Sequence, residues 1–432
     1  MKVTRLRDLS KKEYIRITKR SAGAYQQVIP AVKDIIEDVR ENGDASLVKY
    51  YKKFSGGQNY SITVTNEDIK EAYKNIDKRF ITSIKQMIKN ITKVQKAQLK
   101  SKKDPVVNSE KGISVWRVWR PIEKVGIYIP GGKAVYPSSV LMTAIPAQIA
   151  GCRKIIMCSP AGQDGKIPSA TLVAADIIGI KSIYKIGGAE AIAALAYGTK
   201  IVPNVYKIFG AGNIYVTAAK ILVQEMVAID MPAGPSEVFI IADKWANPKF
   251  IAADLLADGE HGEDSACVLL TTSENVARET IAEINRQLTL LSTKDRAKAS
   301  LEKYGLFAVV DSLDEAIEFS NEYAPEHLEI MTKNAENLVS KITNAGSVFL
   351  GDWTSKSSGD YATGANHILP TGGMAKMYPP LGVESYGKWM QVQKCTKEGL
   401  KEIKDTIEII AKIEQLPAHK NSVSIRFARG QI

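Results

Sequence analysis

Between Val115 and Gly351, short β-branched runs alternate with stretches whose apolar residues recur every three or four positions. Period-two runs bounded by turn residues predict strands, and the three- and four-residue spacing predicts amphipathic helices. The first series reads as strand KVGIYI, helix SSVLMTAIPAQIAG, strand KIIMC, helix SATLVAADIIGI, strand SIYKIG, helix AEAIAALAYG, strand VYKIFG and helix NIYVTAAKILV. After PAGPSE the rhythm resumes with VFIIAD, KFIAADLLADGE, ACVLLTT, SENVARETIAEINRQL, LFAVV, LDEAIEFSNEY, HLEIM, AENLVSKIT and SVFLG. Strands separated by single helices imply a parallel sheet covered by helices, here twice over.

Ahead of this region, about 105 residues read as helices, with AVKDIIEDVRENGDASLVKYYKKF and KRFITSIKQMIKNITKVQKAQL as the clearest. Behind it, GDWTSKSSGDYATGANHILPTGGMAK has no period. A structureless stretch of more than roughly 20 residues in an enzyme is more often a working loop than an idle connection. From Thr396 one amphipathic helix is expected, then LPAHKNSVSIRF as a short strand-like tail. The fold class is therefore α/β: two Rossmann-like parallel-sheet domains with an N-terminal helical segment and a small C-terminal tail. The expected divisions are 1–110, helical and packing on the second α/β unit; 111–235, the first α/β unit; 236–375, the second; and 376–432, the tail.

A chain of 432 residues accommodates two or three such units, since one ordinary domain takes roughly 100–200. The basic N-terminus lacks the apolar core of about 7–15 residues that a secretory signal needs, and no stretch of about 18 uncharged apolar residues follows. A cytoplasmic protein with no membrane association is expected. Cys152, Cys158, Cys267 and Cys395 form no C-x-x-C pair, and fit buried thiols in a reducing compartment. The formal charge of +11 is spread over most helices with no interleaved aromatic platform, so it reads as a solvated surface rather than a nucleic-acid footprint.

Four histidines stand out because all lie in polar, turn-rich or acid-flanked contexts: DGEHGED, APEHLE, GANH and PAHKN. Asp258 and His261, three apart at a helix end, can converge on one ion while Glu260 points elsewhere, with the mixed oxygen and nitrogen donors that suit zinc. Pro325-Glu326-His327 sits between a helix and a strand, at the rim of a sheet where α/β enzymes place their sites, and offers two bases to one substrate. The loop adds Asp360, Asn366 and His367, and the tail adds Glu414 and His419. With no H-E-x-x-H present, any metal site must be assembled from separated segments. Three glycine-rich turns, IPGGKAVYPSS, IGGAEA and FGAGN, each lead from a strand into a helix N-terminus, where backbone N–H groups can receive a dinucleotide pyrophosphate.

Together these clusters resemble the histidinol dehydrogenase family. The likeness runs from about Arg120 to Arg426 through RPIEKVGIYIPGGKAVYPSSVLM, GGAEAIAALAYGT, GNIYVTAAK, DMPAGPSEV, AADLLADGEHGEDS, NEYAPEHLEI, GDYATGANHILPT and LPAHKNSVSIR. The resemblance implies that Glu326 and His327 are the acid-base pair. It implies Zn2+ held by Asp258, His261, Asp360 and His419, substrate contacts from Ser236, His327, His367 and Glu414, and NAD contacts from Tyr128, Glu190 and Asn213. It further implies oxidation of L-histidinol through L-histidinaldehyde to L-histidine with two NAD, as the last step of histidine biosynthesis, in a homodimer whose tail completes the partner's site.

Two positions depart from the family pattern: Asp258 and Glu190 both stand where glutamine is usual. A carboxylate is itself a competent zinc ligand, but an ionised one cannot donate the hydrogen bond an amide can. Ala211 and Gln415 are smaller departures that remove no functional group. Two other readings are a relative that oxidises another polar alcohol, such as a sulfopropanediol, and a non-catalytic nucleic-acid-binding descendant. Glu414 and the AHK tail favour a cationic, imidazole-bearing substrate over a sulfonate, and retention of all four histidines favours catalysis.

Overall fold

The strands predicted from the alternating pattern form two parallel sheets in a computed structural model that describes residues 1–20, 23–55, 61–99, 102–131 and 135–428. Part of the glycine-rich IPGGKAVYPSS turn, residues 132–134, lies outside the described residues. The first sheet orders its strands as Ser182–Tyr184, Lys154–Cys158, Lys124–Tyr128, Lys207–Phe209 and Ala228–Ile229. The second runs Val3–Arg5, Leu306–Val309, Ala266–Thr271, Glu237–Ala242, His327–Met331 and Ser347–Leu350. Leaving aside Val3–Arg5, each sheet has the order 3-2-1-4-5 in its own strand sequence, the first five positions of a doubly wound sheet. The two series are thus alike in topology as well as in rhythm.

Their central strands are buried on both faces, which is why they read as continuous apolar runs: all six residues of Glu237–Ala242 and of Ala266–Thr271 are buried. In the first sheet, Gly210 follows the strand Lys207–Phe209 with φ +114°, and a Cβ there would stand 2.1 Å from the Tyr128 carbonyl oxygen. Only glycine permits this close approach of two neighbouring strand ends.

The N-terminal helices depart from the expected placement. Val32, Ile36, Val39, Leu47 and Tyr50 share a core with Tyr128, Ile156 and the helix Gly188–Tyr197, so helices Ile29–Asn42 and Asp44–Ser55 cover the first sheet. Only the first residues serve the second sheet: Val3–Arg5 pairs with Leu306–Val309, and Tyr14 on helix Lys11–Lys19 packs edge-on against Phe319. A three-residue edge strand is too short to show a period, so it reads as helix-flanking chain in the sequence.

The chain divides into two compact units, 1–98 with 122–386, and 99–121 with 387–432. Both parallel sheets fall in the first. The second unit holds an antiparallel sheet in the order Gly387–Cys395, Ile113–Pro121, Val107–Glu110. Its later described part carries three helices, Lys397–Glu402, Lys404–Ile413 and Pro417–Ser424, which corrects the single helix and strand-like tail expected. Pro417 at the first turn supplies a helix start that the β-branched residues Val423 and Ile425 obscured. Among the described residues no helix is long and apolar enough to cross a membrane.

One buried ion pair ties the N-terminal segment to the second sheet. Arg20 Nη2 lies 2.8 Å from Glu237 Oε2, with both side chains buried, and also donates to the Ala324 carbonyl at 3.2 Å. Its guanidinium covers the Tyr323 ring at 3.4 Å. Removing one partner of a buried pair strands the other charge. Arg20→Met is therefore expected to lower unfolding free energy by about 3–5 kcal/mol in urea titrations, and Arg20→Met with Glu237→Leu by markedly less.

Candidate active site

Crossover connections bring together the ends of two sheets whose strands end and begin at the same place. From the first sheet come the residues after its strands: Gly131, Ser138 and Ser139 beyond Lys124–Tyr128, and Ala211, Gly212 and Asn213 beyond Lys207–Phe209. The second sheet contributes the residues at or before its strand starts: Ser236, Ser265, Glu326 and His327. With Lys356, Asp360 and His367 these line a cavity of 480 Å³. The rim of the second sheet used here is the amino-terminal one, opposite to the carboxyl ends where open α/β sheets ordinarily bind ligands.

Glu326 and His327 are set by the backbone of a single residue, Glu237. The Glu237 N–H donates to Glu326 Oε2 at 2.9 Å, and the Glu237 carbonyl lies 2.9 Å from His327 Nδ1. A carbonyl oxygen only accepts, so Nδ1 carries a proton, and in the neutral ring Nε2 presents its lone pair. Nε2 is buried without a hydrogen-bond partner, 3.8 Å from Asp360 Oδ1. The turn is held from behind, since Ser347 N–H donates to the Glu326 carbonyl at 2.8 Å. A Cβ on Gly346 would meet that same oxygen at 2.6 Å. Burial pushes the Glu326 carboxyl up to about 8 despite the His327 charge beside it. The same burial works against a charge on His327, but the Glu326 and Asp258 carboxylates outweigh it and raise the imidazole to about 9.

Asp258 lies fully buried in the last turn of helix Pro248–Gly259. Its Oδ2 is 3.4 Å from His327 Nδ1, and its Oδ1 is 3.5 Å from His261 Nδ1 and 2.7 Å from Lys356 Nζ. Lys356 reaches Asp360 Oδ2 as well, at 2.8 Å, one turn along helix Lys356–Tyr361, a helix inside the segment expected to be a loop. Burial would raise the Asp258 carboxyl, but Lys356 and His327 hold it well below the usual carboxylate range. In the same way burial works against the ammonium, and the two aspartates more than reverse this. Glu260 turns aside and accepts from Thr293 Oγ1 at 2.6 Å.

Nε2 of His327 is buried without a hydrogen-bond partner, Asp258 is fully buried with its Oδ1 turned to Lys356 and His261, and donor atoms of Asp258, Glu326 and His327 lie within 4.8 Å of one another. Oxygen and imidazole donors gathered in this way fit a zinc-like cation. Within the triad, Glu326 and His327 each spend one polar atom on Glu237, which fixes the orientation of both side chains. His261, half-buried with its Nδ1 3.2 Å from the Asp258 carbonyl, and Asp360 flank Asp258 on the side of a second cavity of 910 Å³. Glu414 and His419 are in the second unit, where both are exposed.

His367 is positioned by its neighbours: Nδ1 lies 3.1 Å from the Asp360 carbonyl and Nε2 3.2 Å from Ser139 Oγ, while Asn366 Nδ2 donates to the Met142 carbonyl at 2.7 Å. Desolvation lowers its pKa, which favours a neutral ring. Ser236 lines the cavity, half-buried. Of the dinucleotide candidates, Asn213 lines it too and caps helix Ile214–Leu222 through its Oδ1, which leaves its amide N–H groups free to donate. The turn before it is clamped: the Gly210 N–H donates to Asp230 Oδ2 at 2.7 Å and Lys220 Nζ to the Gly210 carbonyl at 2.9 Å. Tyr128 and Glu190 are buried, and the Tyr128 hydroxyl accepts from the Gly188 N–H at 3.2 Å. Burial pushes the Glu190 carboxyl up to about 7.

Glu237, Arg20 and Lys356 are absent from the sequence-based candidate set. The signals were a lone charge heading the apolar run VFIIAD, and a lysine four residues before Asp360. Arg20 gave none.

The family model described as histidinol dehydrogenase matches residues 18–427. Histidinol dehydrogenase of Methanocaldococcus jannaschii is 46% identical over 426 residues, covering 99% of each chain. That of Clostridium acetobutylicum is 45% identical over 401 residues, 93% of each. The crystal structure of histidinol dehydrogenase from Elizabethkingia anophelis superposes with a TM-score of 0.92 at 43% identity, covering 99% of this chain and 97% of that one. Likeness over this length, in sequence and in backbone, leaves one conclusion: the chain belongs to the histidinol dehydrogenase family.

Proposed function

We propose that the chain oxidises L-histidinol through L-histidinaldehyde to L-histidine, taking two NAD in turn, as the last step of histidine biosynthesis. The observation that carries this reading is the Glu237 backbone holding an acid and a base at one cavity. His327 accepts the carbinol proton at Nε2 while hydride leaves the same carbon for NAD. Its Nδ1–H stays on the Glu237 carbonyl, so the ring does not change orientation when it becomes charged. After the aldehyde forms, Glu326 takes a proton from water as that water adds to the carbonyl carbon, and His327 gives the proton it holds to the carbonyl oxygen, which completes the hydrate and returns the imidazole to its neutral form. His327 then accepts the hydrate proton as the second hydride departs. His367 and Ser236 orient the substrate, and Asn213, Glu190 and Tyr128 serve the dinucleotide side. Asp258, His261 and Asp360 would hold a zinc ion together with His419 of a second subunit, and when bound it would supply a Lewis acid that orients the substrate.

The active assembly is a homodimer in which Glu414 and His419 on one subunit's tail complete the other's site. Helix Lys404–Ile413 leaves Ile409, Ile410 and Ile413 exposed, an apolar face of the kind that an interface covers. A cytoplasmic location fits four cysteines without disulfides.

With L-histidinol and NAD the protein is expected to produce NADH, to lose this on chelation and to regain it when zinc is returned. In stopped-flow NADH traces, Glu326→Gln should slow aldehyde oxidation at least about tenfold more than alcohol oxidation; equal losses would refute the division of labour. His327→Asn and His419→Asn variants, each inactive, should recover about a quarter of wild-type activity when co-expressed, because half the dimers carry one intact site if tails are exchanged. A tail serving its own subunit gives no recovery.

A further inference from the structure

The contact between Lys356 and Asp258 has no part in the chemistry above. A buried lysine is rare because its ammonium loses hydration, and it persists only where anions replace that water. Lys356 is 3% exposed and its Nζ stands 2.7 Å from Asp258 Oδ1 and 2.8 Å from Asp360 Oδ2. Each aspartate therefore turns one oxygen to the ammonium and the other toward His327, at 3.4 Å from Nδ1 for Asp258 and 3.8 Å from Nε2 for Asp360. Helix spacing fixes this arrangement, since Lys356 and Asp360 are four residues apart on one helix. At position 258, where glutamine is usual in the family, the aspartate adds a negative charge that Lys356 cancels.

We propose that Lys356 is a resident counter-cation of the metal site, holding Asp258 and Asp360 in place without a metal and tempering their affinity for a divalent ion. The inference rests on the assignment of those two aspartates as metal ligands. An ammonium within 3 Å of both carboxylates withdraws electron density from them and repels an arriving dication across a low-dielectric gap. The same contact relieves the repulsion between the two aspartates before the ion enters. Affinity is thereby exchanged for a ligand set that stays ordered when empty.

The test measures zinc affinity, by competition with a chromophoric chelator, and melting temperature of chelator-dialysed and zinc-loaded protein. Lys356→Met is expected to bind zinc at least about tenfold more tightly than wild type. Its metal-free form should melt lower, and the gap between loaded and metal-free melting temperatures should widen. Lys356→Arg, which keeps the charge, should not tighten binding. Equal or weaker zinc affinity in Lys356→Met overturns the proposal while leaving the metal site intact, whereas a wild-type protein that takes up no zinc overturns the ligand assignment and the proposal with it. Should Lys356→Met not stay folded without metal, Asp258→Gln is compared with Asp258→Gln/Lys356→Met, which carries the family's neutral ligand. Tighter binding by the double variant, by a smaller factor, is expected, and unchanged affinity again overturns the proposal.

Discussion

The geometry of the active site rests on the backbone of Glu237, whose N–H and C=O reach two successive residues of the neighbouring strand's approach. Because Glu237 heads the central strand of the second sheet and pairs with Ala266 on its other side, the acid and the base inherit the rigidity of the ladder. Its side chain is equally committed, to Arg20 at one oxygen and to the Gly372 N–H at the other. A displacement of this one residue would carry Glu326, His327 and the loop at Gly372 with it. Functional groups placed on strands in this way hold their positions more closely than groups on loops.

Around that frame lies an unusual density of buried charge: Asp258, Glu326, His327, Lys356 and Asp360 are all buried. Burial alone would disfavour charge on Asp258, His327 and Lys356, and what favours their charged forms is proximity to opposite charge. Those three groups are consequently interdependent. Asp258 touches the base, a lysine and His261 at once, and so links the acid-base pair to the candidate metal ligands.

Much of this was legible in the chain. Apolar runs such as VFIIAD and ACVLLTT are diagnostic because both faces of these strands are covered, and the scarcity of histidine drew attention to the residues that the fold gathers. Less legible were features that depend on long-range pairing. The exposed pattern of Val107–Glu110 and the mixed one of Gly387–Cys395 carry no two-residue period, so the antiparallel sheet was not visible. Arg20 and Glu237 lie 217 positions apart, and nothing local marks either as the other's partner. Lys356 was hidden in a segment whose glycines and serines read as loop, although Lys356–Tyr361 closes one helical turn around it.

The use of opposite rims by the two sheets has an electrostatic consequence. In a right-handed crossover a helix runs antiparallel to its strands, so the carboxyl rim of the first sheet collects helix beginnings, at Pro137 and Ile214, and the amino rim of the second collects helix endings, at Gly259 and Tyr323. The aligned peptides of the former group present partial positive charge and those of the latter partial negative charge. One cavity is thereby polarised along its length, with a bias toward anions on one wall and toward cations on the other, before any ionisable side chain is counted.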